Sequence, residues 1–405
     1  MRKLRMVLIA VTFMAVCANV MSQERAVPVK TIVDANVVKQ KPLVQIAILL
    51  DTSNSMDGLI NQAKAQLWSI VNEFIFAKRT GIAPEVQVAL FEYGNNGLKP
   101  EQGHIREVVP FTTDLDKLSE ELFALKTNGG QEYCGWVIKD AVEKLKWSAK
   151  ADDLKLIFIA GNEPFTQGKV DFKESCKAAI NKGIIVNTIH CGSESDGING
   201  KWKDGAAFAD GRFLNIDQNQ TIVYIEAPQD KEISGLNEKL NETYIAYGIA
   251  GQERAQMQKE QDKNAFGFNA GAAMQRAVAK SSGNYINTAW DLVDAVKYNN
   301  VKIEEVTEKE LPVNMQKMDI KQRKTYVDTK AKERAQIQAK IQKLNLEREK
   351  YVAEQLKNQI GQDKSFGAAA ISAIQEQAKK KNFEFDRPQE NPEKNGTEKP
   401  KETEK

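Results

Sequence analysis

The stretch that decides the fold reads Val44-Gln45-Ile46-Ala47-Ile48-Leu49-Leu50-Asp51-Thr52-Ser53-Asn54-Ser55. Its first seven residues form a nearly continuous apolar run, which is typical of a strand buried on both faces of a parallel sheet. The run ends at Asp51, and from Leu59 onward apolar residues recur at helical spacing. A buried strand, a short polar loop and a helix in this order indicate an alternating α/β domain.

The alternation of strand and helix patterns continues to about residue 225. Further strand-like runs and helical patterns follow one another along the chain: strands at 86–91, 154–160, 184–189 and 212–216, and helices at 59–76, 115–125, 135–147 and 172–181. This order predicts an α/β fold, a doubly wound and mostly parallel sheet with helices on both faces. In such sheets ligands bind beyond the carboxyl ends of the strands, which is where Asp51 falls.

The loop after the first strand carries one carboxylate and two hydroxyls, Asp51, Ser53 and Ser55, spaced two residues apart. Oxygen atoms that converge from a tight loop suit a hard divalent cation such as Mg²⁺, Ca²⁺ or Mn²⁺. The same residue types also cap helices, and five residues alone would favour that simpler interpretation.

The context of the loop favours the metal site. The segment resembles the metal-ion-dependent adhesion site of von Willebrand factor A domains, which carries Asp-x-Ser-x-Ser after its first strand. The resemblance implies a Rossmann-like domain over residues 43–227. Two positions depart from the family pattern: Glu132 stands where a Thr follows a Gly-Gly pair, and Gly161 stands where a Thr-Asp-Gly turn carries its Asp.

These two departures can compensate for each other, because one carboxylate is lost and another is gained. We therefore expect Asp51, Ser53, Ser55 and Glu132 to bind one divalent ion, Mg²⁺ first, with Ca²⁺ or Mn²⁺ as alternatives. A second carboxylate on the ion should weaken its attraction for an acidic group of a partner. The alternative is a degenerate site that has lost its metal.

The first residues predict export. A basic start, Met1-Arg2-Lys3-Leu4-Arg5, precedes an apolar run over 6–20, and this pattern is typical of a secretory signal peptide covering residues 1–22. A linker at 23–42 follows. The localisation is then periplasmic or extracellular. An uncleaved anchor is disfavoured because the run is shorter than about 20 residues, and lipidation of Cys17 is disfavoured because Val16 precedes it. No later segment predicts a transmembrane helix.

Three cysteines remain after the predicted signal peptide: Cys134, Cys176 and Cys191. An odd number allows one disulfide and one free thiol, and Cys134 with Cys191 could pair beside the site. Alternatively, each is a small buried apolar residue. A thiol-dependent hydrolase built on Cys134, Glu132 and His190 is a minor alternative. No phosphate-binding glycine motif is present, and we expect no enzyme activity.

The second half of the chain changes character after Pro228. Helical patterns at 236–261, 265–280 and 290–298 indicate a helical region over 228–318, and 319–359 predicts a long charged helix within a coiled-coil-like arm over 319–382. Residues 383–405 form a charged tail that we expect to be disordered. Gln261-Asp262-Lys263-Asn264-Ala265-Phe266-Gly267 resembles Gln362-Asp363-Lys364-Ser365-Phe366-Gly367, by duplication of a capped helical unit or by chance.

The composition gives no indication of a nucleic-acid partner. The 405 residues are 41% hydrophobic and carry a net charge of +2, so nothing overall directs the chain to nucleic acid. The function predicted is that of an exported protein that binds a protein or cell-envelope partner at the metal face, with oligomerisation through the helical arm. The alternative is a structural envelope protein whose metal site is degenerate.

Overall fold

The computed structural model describes residues 41–220, 222, 224–357 and 364–385. The predicted signal peptide (1–22), the linker as far as Gln40 and the tail from Asp386 onward lie outside the described residues. The described residues reach Phe385, three residues into the segment predicted as a tail, and Phe383 is buried in the core.

A six-stranded sheet forms the centre of the domain. The strands of the described residues are β1 (Leu43–Asp51), β2 (Ala77–Lys78), β3 (Glu85–Tyr93), β4 (Ile105–Thr112), β5 (Leu154–Gly161), β6 (Ile185–Cys191), β7 (Phe213–Ile216) and β8 (Glu384–Phe385). The large sheet has the order β4-β3-β1-β5-β6-β7, while β2 and β8 pair separately. Every pair in the large sheet is parallel except β3 with β4. The predicted doubly wound, mostly parallel sheet is confirmed.

The central strand β1 explains why its sequence is apolar on both faces. Val44, Ile46 and Ile48 pack into one core cluster, whereas Ala47 and Leu49 pack into the cluster on the opposite face. Side chains alternate between the faces of a strand, so a strand covered on both sides needs apolar residues at nearly every position.

Strand β4 was not expected from the sequence. It pairs antiparallel with β3 at the edge of the sheet, and its register shifts within the pairing. Arg106, Glu107 and Pro110 are exposed on it. Charges and a proline are typical of a protected edge strand, and they hide the alternation by which a strand is recognised.

Helices cover both faces of the sheet. Those of the first half of the chain are α1 (Asp57–Asn72), α2 (Leu115–Ala124), α3 (Cys134–Lys144), α4 (Phe172–Asn181), α5 (Glu194–Asn199) and α6 (Trp202–Ala207). Those that follow are α7 (Asp230–Asn241), α8 (Gly251–Phe268), α9 (Ala270–Lys280), α10 (Leu292–Lys297), α11 (Val313–Gln316), α12 (Ile320–Lys357) and α13 (Phe366–Lys380). Residues of α1, α2 and α13 share one core cluster, and residues of α3, α4 and α6 share the other. No helix of these described ranges has both the length and the apolarity to cross a bilayer.

The helical region differs from its prediction at two breaks. The helix expected over 236–261 is divided between α7 and α8 by a segment that contains Gly248 at φ 77°. A second break lies at Asn269, whose extended backbone ends α8 and whose side chain caps α9 by accepting from the Ala272 amide. Ser365 caps α13 in the same way through the Ala368 amide. Asn269 and Ser365 therefore cap the helices that follow the two similar segments, and both capped helices pack against α1.

The long helix predicted from the sequence is present as α12. It packs along α7, α9 and α10. Ile341 is buried in a cluster with residues of α7 and α9, and Val327 is buried in a second cluster with residues of α10.

Candidate metal centre

The loop after β1 gathers the first three predicted ligands at the carboxyl edge of the sheet. Asp51 ends β1 between β3 and β5 and is fully buried. The Ser53 amide donates to Asp51 Oδ1 at 2.7 Å. Asp51 Oδ2 and Ser53 Oγ are both buried and have no hydrogen-bond partner among the described residues. Ser55 is exposed beside them in a short 3₁₀ turn, Asn54–Met56.

Glu132 reaches the same point from the loop before α3. This loop is pinned to the first by a hydrogen bond from the Asn128 amide to Thr52 O at 2.9 Å. Glu132 is buried, and its amide donates to Gln167 Oε1 at 2.5 Å. The residue identified from the sequence as a replacement carboxylate therefore does lie at the Asp51 loop.

Gly94 shows how closely the two carboxylates approach. A Cβ atom on this residue would lie 2.7 Å from Asp51 Oδ1 and 2.8 Å from Glu132 Cγ. Its φ of +81° is also unfavourable for any residue with a side chain. Gly94 directly follows β3, and the absence of a side chain at this position leaves room for Asp51 and Glu132.

The two carboxyls perturb each other. Burial raises the pKa of Asp51 well above its usual value, and the neighbouring Glu132 carboxyl raises it further. Burial also raises the pKa of Glu132. The Ser53 hydroxyl lies close enough to lower both pKa values, although it forms no hydrogen bond of regular geometry. Two buried carboxylates this close are stable together only with a proton or a cation between them.

The end of β5 lacks the carboxylate expected of the family because the space is occupied. A Cβ atom on Gly161 would lie 2.5 Å from Tyr93 Oη and 3.0 Å from Asp51 Oδ2. The buried Tyr93 hydroxyl donates to Ala160 O at 2.9 Å. Tyr93 was not identified from the sequence, where it is one of several aromatic residues at strand ends.

A thiol nucleophile is not supported by the geometry. Cys134 is 1% exposed, and burial raises the pKa of its thiol well above the usual value. The ring of His190 contacts Asn162 O at 3.2 Å and Asn215 Nδ2 at 3.4 Å. Cys134, Cys176 and Cys191 are all buried free thiols, so the predicted option of a Cys134–Cys191 disulfide is not observed.

The donor set is a mixed one. Within the described ranges no three residues of the types His, Cys, Asp and Glu come together as a metal cluster. The candidate centre instead combines two carboxylates with hydroxyls. Asp51 and Ser53 each have a buried oxygen without a hydrogen-bond partner among the described residues, and the Asp51 and Glu132 carboxyls lie close together. A divalent cation that takes oxygen ligands fits this arrangement.

A comparison with protein families agrees with this architecture. Residues 45–200 match the family model of the von Willebrand factor type A domain. A search of curated proteins returned no match. Similar solved structures include BatB from Bacteroides thetaiotaomicron, at 18% identity and a TM-score of 0.33 over 43% of this chain and 90% of that one.

Two further structures show a comparable likeness. The von Willebrand factor A domain of SpRpn10 is 18% identical, with a TM-score of 0.34 over 44% of this chain and 90% of that one. Proximal thread matrix protein 1 from the mussel byssus, solved with zinc in its metal-ion-dependent adhesion site, is 13% identical, with a TM-score of 0.35 over 44% and 43% of the two chains. By its own sequence the segment 45–200 matches the von Willebrand factor type A domain, and it lies within the mostly parallel, helix-flanked sheet domain, of which β7 lies beyond the matched segment.

Proposed function

We propose that this chain is an exported binding protein that holds a protein or cell-envelope partner through a divalent metal ion, bound by Asp51, Ser53, Ser55 and Glu132. The observation that carries the proposal is the buried Asp51–Glu132 pair, beside which Asp51 Oδ2 and Ser53 Oγ have no hydrogen-bond partner among the described residues. A divalent cation would satisfy these oxygens and balance the two negative charges. The matched family also suggests a role in protein interaction rather than catalysis.

The acidic pair also bears on the class of partner. An ion that already carries two carboxylates attracts a third anionic group less strongly than an ion with one. We therefore infer that the partner contributes a neutral oxygen, such as a hydroxyl or a carbonyl, rather than an acidic side chain. Ser55 is exposed at the mouth of the site, where a partner group can reach the ion.

Calorimetric titration of the purified protein with Mg²⁺, Ca²⁺ and Mn²⁺ tests the metal site. We expect the wild type to bind at least one of these ions and Asp51→Ala to lose that binding. Asp57→Ala is a matched control, because Asp57 is an exposed acidic residue six positions along the same segment. A wild-type protein that binds none of the three ions would contradict the proposal.

Glu132→Ala tests whether the Glu132 carboxylate replaces the carboxylate that is missing at Gly161. We expect this variant to bind the metal at least tenfold more weakly, a loss of about 1.4 kcal/mol. Circular dichroism of each variant would show whether the fold is retained. Unchanged affinity would mean that Glu132 is a rim residue and not a ligand.

A further inference from the structure

The turn after β5 brings one more polar side chain to the candidate centre. Gly161 cannot carry a side chain there, but the next residue, Asn162, can. Asn162 Nδ2 lies 3.4 Å from Ser55 Oγ, so the carboxamide is beside one of the proposed ligands. Asn162 Oδ1 is buried and has no hydrogen-bond partner among the described residues.

The backbone around Asn162 is held from several sides. His190 Nε2 contacts Asn162 O at 3.2 Å, and Trp202 Nε1 donates to Glu163 O at 2.9 Å. The Glu163 amide donates to Glu132 Oε2 at 3.4 Å, which connects this turn to the second carboxylate. A turn fixed in this way orients the carboxamide, whereas a free surface loop would not.

A buried carbonyl oxygen without a donor is costly unless something satisfies it. Asp51 Oδ2 and Ser53 Oγ, at the same edge of the sheet, are also buried without a hydrogen-bond partner among the described residues. Amide oxygens are regular ligands of Ca²⁺ and Mg²⁺. A cation within reach of all three atoms would satisfy them together, and the neutral amide would add no further negative charge.

We propose that the side-chain oxygen of Asn162 is an additional metal ligand, which takes over the contribution of the β5 end that Gly161 cannot make. This inference rests on the proposed metal-binding function. With Asp51, Ser53, Ser55 and Glu132, it gives five protein oxygens from three loops. One position of a six-coordinate ion then remains for water or a partner group.

The first test compares the metal affinity of Asn162→Ala with that of the wild type by calorimetric titration with Mg²⁺, Ca²⁺ and Mn²⁺. We expect a loss of about tenfold or more, comparable to the loss of a group that supports a metal site. Asn96→Ala is the matched control, because Asn96 is an exposed asparagine on the neighbouring loop. It should bind within about twofold of the wild type.

A second variant separates ligation from a structural effect on the turn. Asn162→Asp keeps an oxygen in the same place, so it should recover the affinity that Asn162→Ala loses. Equal losses in both variants would show that the turn is disturbed, and would overturn the inference. Wild-type affinity in Asn162→Ala would also overturn it while leaving the proposed function intact, whereas the absence of any binding by the wild type would remove both.

Terbium luminescence measures how many water molecules are bound to the ion, and this number rises when a protein ligand is lost. Tb³⁺ is a hard cation that takes oxygen ligands, and its lifetimes in H₂O and D₂O report the number of bound water molecules. Removing a protein ligand should let in about one more water molecule in Asn162→Ala than in the wild type or in Asn96→Ala. An unchanged number of water molecules would contradict ligation by Asn162.

Discussion

At the scale of single residues, the distinguishing feature is a carboxyl pair buried where several strands end. Asp51 and Glu132 approach each other around Gly94, and the pKa of each is raised, first by burial. A raised pKa in the folded state means that folding disfavours the ionised carboxyl. Near neutral pH the pair therefore destabilises the protein unless a cation is bound, as expected if the proposed metal site lowers the stability of the metal-free protein.

Glu132→Gln should separate the two roles of this carboxyl. In the presence of EDTA we expect the variant to be more stable than the wild type, by on the order of 1 kcal/mol or about 2 °C in melting temperature, because the repulsion is removed. With saturating Mg²⁺ or Ca²⁺ the order should reverse, because the wild type gains more from the ion.

Thermal melts with and without the ion measure this reversal. Glu101→Gln is the control, because Glu101 is exposed. This variant should melt at the same temperature as the wild type under both conditions. A Glu132→Gln variant that is less stable than the wild type in EDTA would show that the carboxylate is satisfied by the protein alone.

The candidate ligands show what a sequence reveals at this scale. Asp51, Ser53 and Ser55 could be identified because they are close in sequence and follow a buried strand. Glu132 could be identified from its place after a glycine pair. From the sequence, Asn162 is more simply a turn residue than a residue that contacts the ion through water, because the proposal of direct ligation depends on an oxygen left unpaired in three dimensions. Tyr93 gave no signal, since its function is to fill the space beside Gly161.

At the scale of elements, the strongly periodic segments were predicted and the irregular ones were not. The buried strands β1, β3, β5 and β6 stand out as apolar runs in the sequence. The edge strand β4 does not, because charges and Pro110 interrupt its pattern. The long helix α12 was expected, but its packing was not, because arginines contribute much of its buried face.

Three arginines on α12 explain why this helix lacks a regular heptad. Arg323, Arg334 and Arg348 are separated by about three and four helical turns, so they lie on one face, and all three are buried. Arg334 donates to Asp291 at 2.6 Å and to Asp294 at 2.9 Å, while Arg348 donates to Asp230 at 2.6 Å. The helix is attached by ion pairs as well as by apolar contacts.

Replacing Arg334 should therefore destabilise the helical region. Arg334→Met leaves the buried carboxylates of Asp291 and Asp294 without their cation, and we expect a loss of about 3–5 kcal/mol in the free energy of unfolding. Arg254→Met is the control, because the pair of Arg254 with Asp114 is more than one third exposed and should contribute less than about 1 kcal/mol. Urea unfolding of both variants measures the difference. A small effect for Arg334→Met would mean that the apolar contacts of α12 are sufficient.

At the scale of the whole molecule, the helical region and the sheet domain share a buried charge network. Arg276 of α9 donates to Asp116 of α2 at 2.7 Å and to Asp262 of α8 at 2.5 Å. Lys280, which is fully buried, donates to Asp262 at 2.8 Å. Burial lowers the pKa of Lys280 to about 8, while the negative charge of Asp262 acts in the opposite direction. The network joins α8 and α9 to the domain at residues 45–200.

This network predicts how the molecule responds to acid. Burial alone would raise the pKa of Asp262, but the charges of Lys280 and Arg276 outweigh it and hold that pKa far below the usual range. A carboxyl with a depressed folded-state pKa contributes stability above its unfolded value, about 3.9, and loses that contribution as the pH falls toward the folded value. Asp262→Asn removes the contribution at every pH. The wild type should therefore be more stable than this variant at pH 7 and pH 5, and the difference should shrink progressively as the pH falls below about 4.

Urea unfolding at pH 7, 5 and 3 measures the difference in stability between the wild type and Asp262→Asn. Glu174→Gln serves as a control, because loss of the exposed Glu174–Lys177 pair should leave stability nearly unchanged at each pH. A gap between the wild type and Asp262→Asn that stays constant down to pH 3 would mean that Asp262 stabilises the protein through hydrogen bonds that do not depend on its charge.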